Sequence, residues 1–245
     1  MKRLFIICVS IVVFTMNSVA YAQEESNEKF SFTFDFANNF VWRGQALNMS
    51  PVLQPEFSFN IGNFSIGTWA STPFSSFDYT ELDLFVNYQL TPFLSVGIVN
   101  YFGYDNSFST YNYFDFDKEN TGHSFDLQVM YEGDNGFNAM VSTIIAGDDL
   151  KYNDNGEVKG SNFSTYLELG YGSTTRYGVD WNFCVGFVPM ASDFYMIDKA
   201  NVVNLSFGVS KTFQITPTYS LPLSLNFTVN PAAEAALLTA AIKLF

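Results

Sequence analysis

Apolar and polar residues alternate along this chain with a period of two. The segment FSFTFDF places phenylalanine at positions 30, 32, 34 and 36, with Ser31, Thr33 and Asp35 between them. Because successive side chains of a β-strand point to opposite faces, this pattern predicts a strand with one apolar face and one polar face. Most runs of this kind are about 9–11 residues long, the length that a tilted membrane strand requires. Twelve runs occur, at 30–38, 52–61, 63–71, 80–90, 93–102, 123–132, 137–146, 163–171, 177–187, 202–215, 219–229 and 235–245.

Such strands fit either a soluble sandwich, with the apolar face inside, or a bilayer, with the apolar face outside. The connections between the runs distinguish the two, because they alternate between long and short. Short periplasmic turns and longer outer loops are typical of outer-membrane barrels, whereas a sandwich has no reason to alternate them. The sequence therefore predicts an all-β fold, an antiparallel transmembrane β-barrel of about twelve strands. The long connections are 39–51, 72–79, 103–122, 147–162, 188–201 and 230–234.

Aromatic residues support the membrane interpretation. Several flank the predicted short turns and fall on the apolar face of their strands, as expected of an aromatic girdle at one membrane interface. A soluble core would not concentrate them at strand ends. They are Tyr88, Tyr131, Phe137, Tyr171 and Tyr177.

Composition and the first residues agree with an exported membrane protein. Aromatic residues make up 18% of the chain and charged residues only 14%, where a soluble domain has nearer a quarter. Residues 1–22 read as a signal peptide, with a basic start, a short apolar run and an A-x-A site that predicts cleavage before Gln23. Residues 23–245 would then form the barrel in a bacterial outer membrane, with outer-membrane lipid as a partner. The net charge of −13 argues against a nucleic-acid partner.

A family resemblance appears in the first third of the chain. The segment FANNFVWRGQALNMSPVLQPEFSFNIGNFSIGTWAS resembles the start of TorF-type porins over roughly residues 34–105. In that family a first strand ends in an aromatic and Arg-Gly motif, a Pro-x-x-Gln segment opens the second strand, and a third strand carries Gly-x-Trp. The resemblance implies a small porin-like barrel, without naming a substrate. The matching residues are Trp42, Arg43, Gly44, Pro51, Gln54, Gly67 and Trp69.

Strand parity predicts which charged residues face the interior. If the first strand continues unbroken through Asn38 and Asn39, Arg43 points inward near the outer rim. Arg43 is then either a constriction charge that faces acidic groups or a structural arginine that pins the first loop by ion pairs. Lys243 shares the parity of Phe245 in the last run, which leaves the facing of that run open. The residues predicted to line the pore are Arg43, Asp35, Glu56, Glu81, Asp83, Asp126, Glu168 and Asp180.

Catalytic and metal sites find little support. His123 is the only histidine, and the adjacent Ser124 would point to the opposite face of a regular strand, so the two form no catalytic pair. His123 lies at a loop edge, where a solvated side chain is expected. The acidic loop DDLKYNDNGEVKG places Lys151 where a calcium loop needs its first aspartate, so no metal or cofactor is expected.

The function that the sequence predicts is passive transport. The predicted barrel favours a channel for small polar solutes. Because its interior holds more acids than bases, we expect weak cation selectivity. The alternative is a structural or adhesive barrel whose lumen is plugged by its own side chains, since twelve strands lie between filled and open barrels. Trp69, Phe85 and Tyr166 have inward parity and could narrow the lumen.

Overall fold

The computed structural model describes residues 29–245, apart from 75–78, 105–111, 118–119 and 154. The predicted signal peptide and its cleavage before Gln23 lie outside the described residues. The described strands are β1 (Phe30–Ala37), β2 (Phe40–Trp42), β3 (Gln45–Asn48), β4 (Val52–Ile61), β5 (Phe64–Pro73), β6 (Thr80–Thr91), β7 (Leu94–Tyr104), β8 (His123–Glu132), β9 (Phe137–Gly147), β10 (Leu150–Tyr152), β11 (Val158–Ser161), β12 (Thr165–Thr174), β13 (Asp180–Val188), β14 (Asn201–Thr216), β15 (Tyr219–Asn230) and β16 (Ala235–Lys243).

Twelve of these strands form one closed barrel. Its order is β1, β16, β15, β14, β13, β12, β9, β8, β7, β6, β5 and β4, and every neighbouring pair is antiparallel. The wall closes where Asp35 of β1 pairs with Lys243 of β16. The predicted fold class is therefore confirmed. No helix in the described part of the chain is long and apolar enough to cross a membrane.

Strand boundaries follow the alternation closely. β4 and β8 coincide with the predicted runs at 52–61 and 123–132. β13 starts later than predicted, at Asp180 and not at residue 177. The chain turns there, because Gly178 has a φ of 65° and the Thr175 carbonyl accepts a hydrogen bond from its amide. The alternation thus predicted the strand correctly, but the turn before Asp180 makes it begin three residues later.

The two faces of the wall have opposite character. Phe57, Val86 and Phe183 are each 44% exposed on the outside. Their neighbours Asn87 and Asn182 are buried inside. An apolar exterior around a polar interior is the reverse of a soluble sandwich and suits a wall surrounded by lipid.

The last strand has a defined facing. Lys243 lies opposite Asp35, so both side chains belong to the interior side of the wall. Leu238 is 57% exposed on the exterior. The pairing of β16 with β15 runs in a continuous register from Ala235 to Ile242, so this facing holds along the strand.

Two short hairpins were not predicted, and one of them changes the interior. β2 and β3 pair with each other as a separate two-stranded sheet, and so do β10 and β11. The assumption of an unbroken first strand was wrong, because β1 ends at Ala37. The Asn38 and Asn39 side-chain amides each donate to the Leu238 carbonyl at 3.1 Å, which fixes the break.

The segment 40–48, called the plug hairpin below, lies inside the barrel. Its turn is formed by Arg43 and Gly44, with φ values of 47° and 83°, as two-residue hairpin turns require. A Cβ on Gly44 would lie 1.9 Å from the Val203 carbonyl oxygen of β14. The Asn230 amide of β15 donates to the Gly44 carbonyl at 3.2 Å. The tip of the hairpin therefore rests against β14 and β15.

The apolar core lies in the lumen, around the plug hairpin. Phe40 and Trp42 pack there with side chains from the wall and from the segment 189–200. The buried members of this cluster are Ala37, Phe40, Trp42, Val52, Trp69, Tyr166, Val188, Tyr195 and Val203. It occupies the end of the barrel that carries the long connections.

Candidate functional site in the lumen

Arg43 is the centre of the candidate site. Its Nη2 donates to Asp126 Oδ2 of β8 at 2.8 Å, and its Nη1 donates to the Tyr195 hydroxyl at 2.6 Å. The side chain is 1% exposed, so this is a buried ion pair between the plug hairpin and the wall. A guanidinium suits the position because its planar fork can serve two partners in different directions.

Aromatic rings enclose the same guanidinium. Arg43 Cζ lies 4.4 Å from the centre of the Trp42 ring and 4.7 Å from that of Tyr166. Both distances are within the range of cation–π attraction. Tyr195 stacks on Trp42 and on Tyr166, with ring centres 5.8 Å apart in each case. We call Arg43, Asp126, Trp42, Tyr166 and Tyr195 the Arg43 clamp.

Donors from the wall orient the Asp126 carboxylate. Ser142 Oγ donates to Oδ1 at 2.6 Å, and Gln128 Nε2 donates to Oδ2 at 2.8 Å. The Tyr101 hydroxyl donates to Oδ2 at 3.1 Å. Three strands, β7, β8 and β9, therefore fix the acceptor that Arg43 meets.

The charge states of the clamp follow from its burial. Burial acts to lower the pKa of the Arg43 guanidinium, but the attraction of Tyr195 and Asp126 outweighs it and holds that pKa above its ordinary value. Burial raises the pKa of the Tyr195 hydroxyl above its ordinary value. Arg43 therefore stays charged and Tyr195 stays neutral at neutral pH.

The segment 189–200 is tied to the clamp and to a neighbouring loop. Ser192 and Ser164 hydroxyls lie 2.6 Å apart, and Ser164 Oγ donates to Asp149 Oδ1 at 2.6 Å. Ser192 Oγ also accepts from the Tyr195 amide at 3.1 Å. Hydrogen bonds thus run without a break from Asp149 through Tyr195 and Arg43 to Asp126. The plug hairpin and the segment 189–200 consequently form one connected unit.

The predicted pore-lining acids all lie on interior faces of the wall. Glu81, Asp83 and Asp126 are buried. Asp35, Glu56, Glu168 and Asp180 are half-buried, and register places them beside buried interior residues. Glu168 accepts a hydrogen bond from the Tyr166 hydroxyl at 2.6 Å, and Asp180 accepts one from Thr174 at 2.6 Å. Whether they line an open pathway stays a prediction.

The sequence predicted correctly that Arg43 lies inside the barrel, but for a wrong reason. It also did not identify the side chains that Arg43 contacts. Arg43 reaches the lumen through the plug hairpin, and not by the parity of a continuous strand. Its pair, Asp126, was recognised as interior but not as the partner, since 83 positions separate them. Tyr195 gave no signal at all, because it lies in a connection without periodicity. Trp69, Phe85 and Tyr166 are buried inside, as their parity indicated.

The expectation of a solvated His123 was wrong. Its side chain is fully buried, and the Phe116 ring stacks on it with centres 4.6 Å apart. One ring nitrogen lies 2.6 Å from the Tyr113 carbonyl and the other 3.0 Å from Asn100 Oδ1. His123 therefore anchors the connection between β7 and β8 to the outer end of the wall. Within the described residues no group of three or more metal-ligating side chains comes together.

Comparison with known proteins shows the fold and nothing finer. No family model matches this chain, and no curated protein matches it. A structure of the NanC porin is similar over 87% of this chain and 98% of its own, with 7% identity and a TM-score of 0.50. The outer membrane protein OprD from Pseudomonas aeruginosa aligns over 85% of this chain and 61% of its own, with 11% identity and a TM-score of 0.36. The resemblance to TorF-type porins thus rests on the residues quoted above.

Proposed function

We propose that this chain is a bacterial outer-membrane channel for small polar solutes, constricted at the Arg43 clamp. The observation that carries the proposal is a closed wall with an apolar exterior and a polar interior, in which a buried ion pair lies inside the lumen. Export by the signal peptide, with cleavage before Gln23, and contact with outer-membrane lipid belong to the same proposal.

Weak cation selectivity is the second part of the proposal. Asp126 neutralises Arg43, so this arginine adds little positive field to the lumen. Lys243 faces the interior beside Asp35, and the remaining interior carboxylates outnumber it. A surplus of negative charge in a narrow, partly dehydrated lumen attracts cations and repels anions.

A plugged structural barrel is the second candidate, and the plug hairpin is the observation that favours it. Phe40, Trp42 and Arg43 are all buried inside the barrel, where they fill space that a solute would use. In this candidate the hairpin stays in place, and in the first it moves or leaves a passage beside it.

Planar-bilayer recording with the purified protein separates the two candidates. The channel predicts discrete conductance steps, and a reversal potential across a KCl gradient that shows modest preference for potassium. Silence at every voltage would favour the plugged barrel. Clear anion selectivity would contradict the assignment of the acids to the conducting path.

A further inference from the structure

The wall formed by β4, β5 and β6 carries acids that the Arg43 clamp does not use. Trp69 of β5 pairs with Glu56 of β4 on one side and with Asp83 of β6 on the other. Opposite residues of antiparallel strands share a face at about 5 Å. The two carboxylates therefore flank the indole on the interior side of the wall. We call Glu56, Trp69, Glu81 and Asp83 the acidic wall.

Two of these acids are adjacent and buried. Glu81 and Asp83 lie two positions apart on one face of β6, and are 4% and 7% exposed. The Tyr79 hydroxyl donates to Glu81 Oε2. Among the residues that the structure describes, no basic side chain forms an ion pair with either acid. Neighbouring buried carboxylates are costly unless a positive charge compensates them.

Unpaired polar atoms mark the same face independently of the charge. Asp83 Oδ1 is buried without a hydrogen-bond partner in the described part of the chain. Asn87, further along the interior face of β6, is 3% exposed, and neither its amide oxygen nor its amide nitrogen has a partner there. This face of β6 therefore presents acceptors and a donor to the lumen that the protein itself does not satisfy.

We propose that the acidic wall binds the ammonium group of a small amine. An ammonium supplies a positive charge and up to three N–H donors. These match Asp83 Oδ1 and the carboxylate of Glu81. The Trp69 ring between Glu56 and Asp83 adds cation–π attraction, for which tryptophan is the best partner. The inference rests on the proposed channel function, since it names the class of solute that the lumen would admit.

The plug hairpin defines one side of this site. The Phe40 ring lies 5.3 Å from the Trp69 ring and 6.2 Å from that of Tyr79. The Asn48 amide also donates to the Tyr79 carbonyl at 3.1 Å. These contacts hold the indole and Tyr79 in place, so the recognition groups are positioned before the amine arrives.

Titration calorimetry on the purified full-length barrel in detergent micelles tests the site. The probe is 1,4-diaminobutane, compared with 1,4-butanediol of similar shape at matched ionic strength. We expect the wild type to bind the diamine and not the diol. Asp83→Asn and Glu81→Gln should each weaken diamine binding at least tenfold, and Trp69→Phe should weaken it several-fold. Asp134→Asn, at an exposed turn between β8 and β9, is the matched control and should leave the affinity unchanged.

Binding is measured without current, so its failure is distinct from failure of the channel proposal. Equal binding of diol and diamine, no diamine binding to the wild type, or unchanged affinity in Asp83→Asn would each overturn the inference. A protein that conducts without binding the diamine loses only the inference. One that binds the diamine and stays silent in bilayers keeps the amine-binding site and loses the channel. Heat-modifiable migration on gels checks that each variant is folded.

Discussion

Arg43 illustrates how one side chain can hold a long segment inside a barrel. It joins two partners through two different nitrogens, and two rings cover its faces. Lysine carries a single ammonium point charge and has no planar group to lie between rings. The clamp therefore depends on the shape of the guanidinium as well as on its charge.

Breaking the clamp should destabilise the protein strongly. Arg43→Ala leaves Asp126 buried without its cation, and Asp126→Asn leaves the guanidinium without its anion. Removing one partner of a buried pair costs about 3–5 kcal/mol. Chemical denaturation in micelles, followed by tryptophan fluorescence, measures the free energy of unfolding. Bilayer recordings of the same variants should show higher conductance, because the plug hairpin is no longer fixed.

The chain offers a matched control for this prediction. Arg176 also lies over an aromatic ring, with Cζ 4.7 Å from the centre of Tyr177, but on an exposed turn. Arg176→Ala should change the free energy of unfolding by less than about 1 kcal/mol. Equal effects of Arg43→Ala and Arg176→Ala would contradict the structural role of the clamp.

Gly44 allows a sharper test at the same scale. Gly44→Ala must place a Cβ 1.9 Å from the Val203 carbonyl oxygen, in addition to the strain of a positive φ. Gly62→Ala carries a similar strain, with a φ of 58°, but its Cβ meets nothing within 4 Å. Gly62→Ala should cost roughly 1–2 kcal/mol of unfolding free energy. Gly44→Ala should cost clearly more and raise the conductance, which Gly62→Ala should not do.

The two additional hairpins show what alternation can and cannot reveal. The twelve wall strands have one apolar and one polar face, so their period of two predicts them. All three residues of β2, Phe40, Val41 and Trp42, are buried, so no contrast between faces identifies that strand. The turn at Arg43 and Gly44 was quoted as a motif, yet its meaning depends on β8, β12 and β14. Such contacts across the lumen leave no local pattern.

Removal of the plug hairpin should open the barrel and leave its wall intact. The wall strands pair with one another independently of β2 and β3. Replacing residues 40–48 by a short glycine-serine linker should therefore preserve heat-modifiable migration and raise the conductance several-fold.

The second hairpin provides the control for that deletion. Replacing residues 151–160, which include most of β10 and β11 and the exposed Tyr152, should leave the conductance near the wild-type value. If both replacements raise the conductance equally, the plug hairpin is not what limits the conductance.

At the scale of the whole molecule, the wall separates an apolar exterior from a polar interior. β13 shows this separation most simply, because Phe183 is exposed outside while Asn182 is buried inside. Exterior phenylalanines gain from contact with hydrocarbon, and interior amides gain from polar partners. The same alternation recurs around the barrel.

Cysteine labelling in vesicles tests the facing directly. In a Cys184→Ser background, Phe183→Cys and Val185→Cys should react with lipid-phase reagents. Asn182→Cys and Asp180→Cys should react only with small polar reagents. Uniform labelling along β13 would rule out the assigned faces.

The position of the plug hairpin also has a consequence for the order of folding. The hairpin follows β1 directly, yet it contacts Asp126 and Asn230, which lie 83 and 186 positions further along the chain. Contacts over such separations form slowly, because a long loop must be ordered first. The earliest hairpin in the chain is therefore among the last elements to reach its native place. Until β14 and β15 are present, Trp42 and Phe40 have no closed lumen to enter, so these two apolar side chains stay uncovered during the early steps of folding.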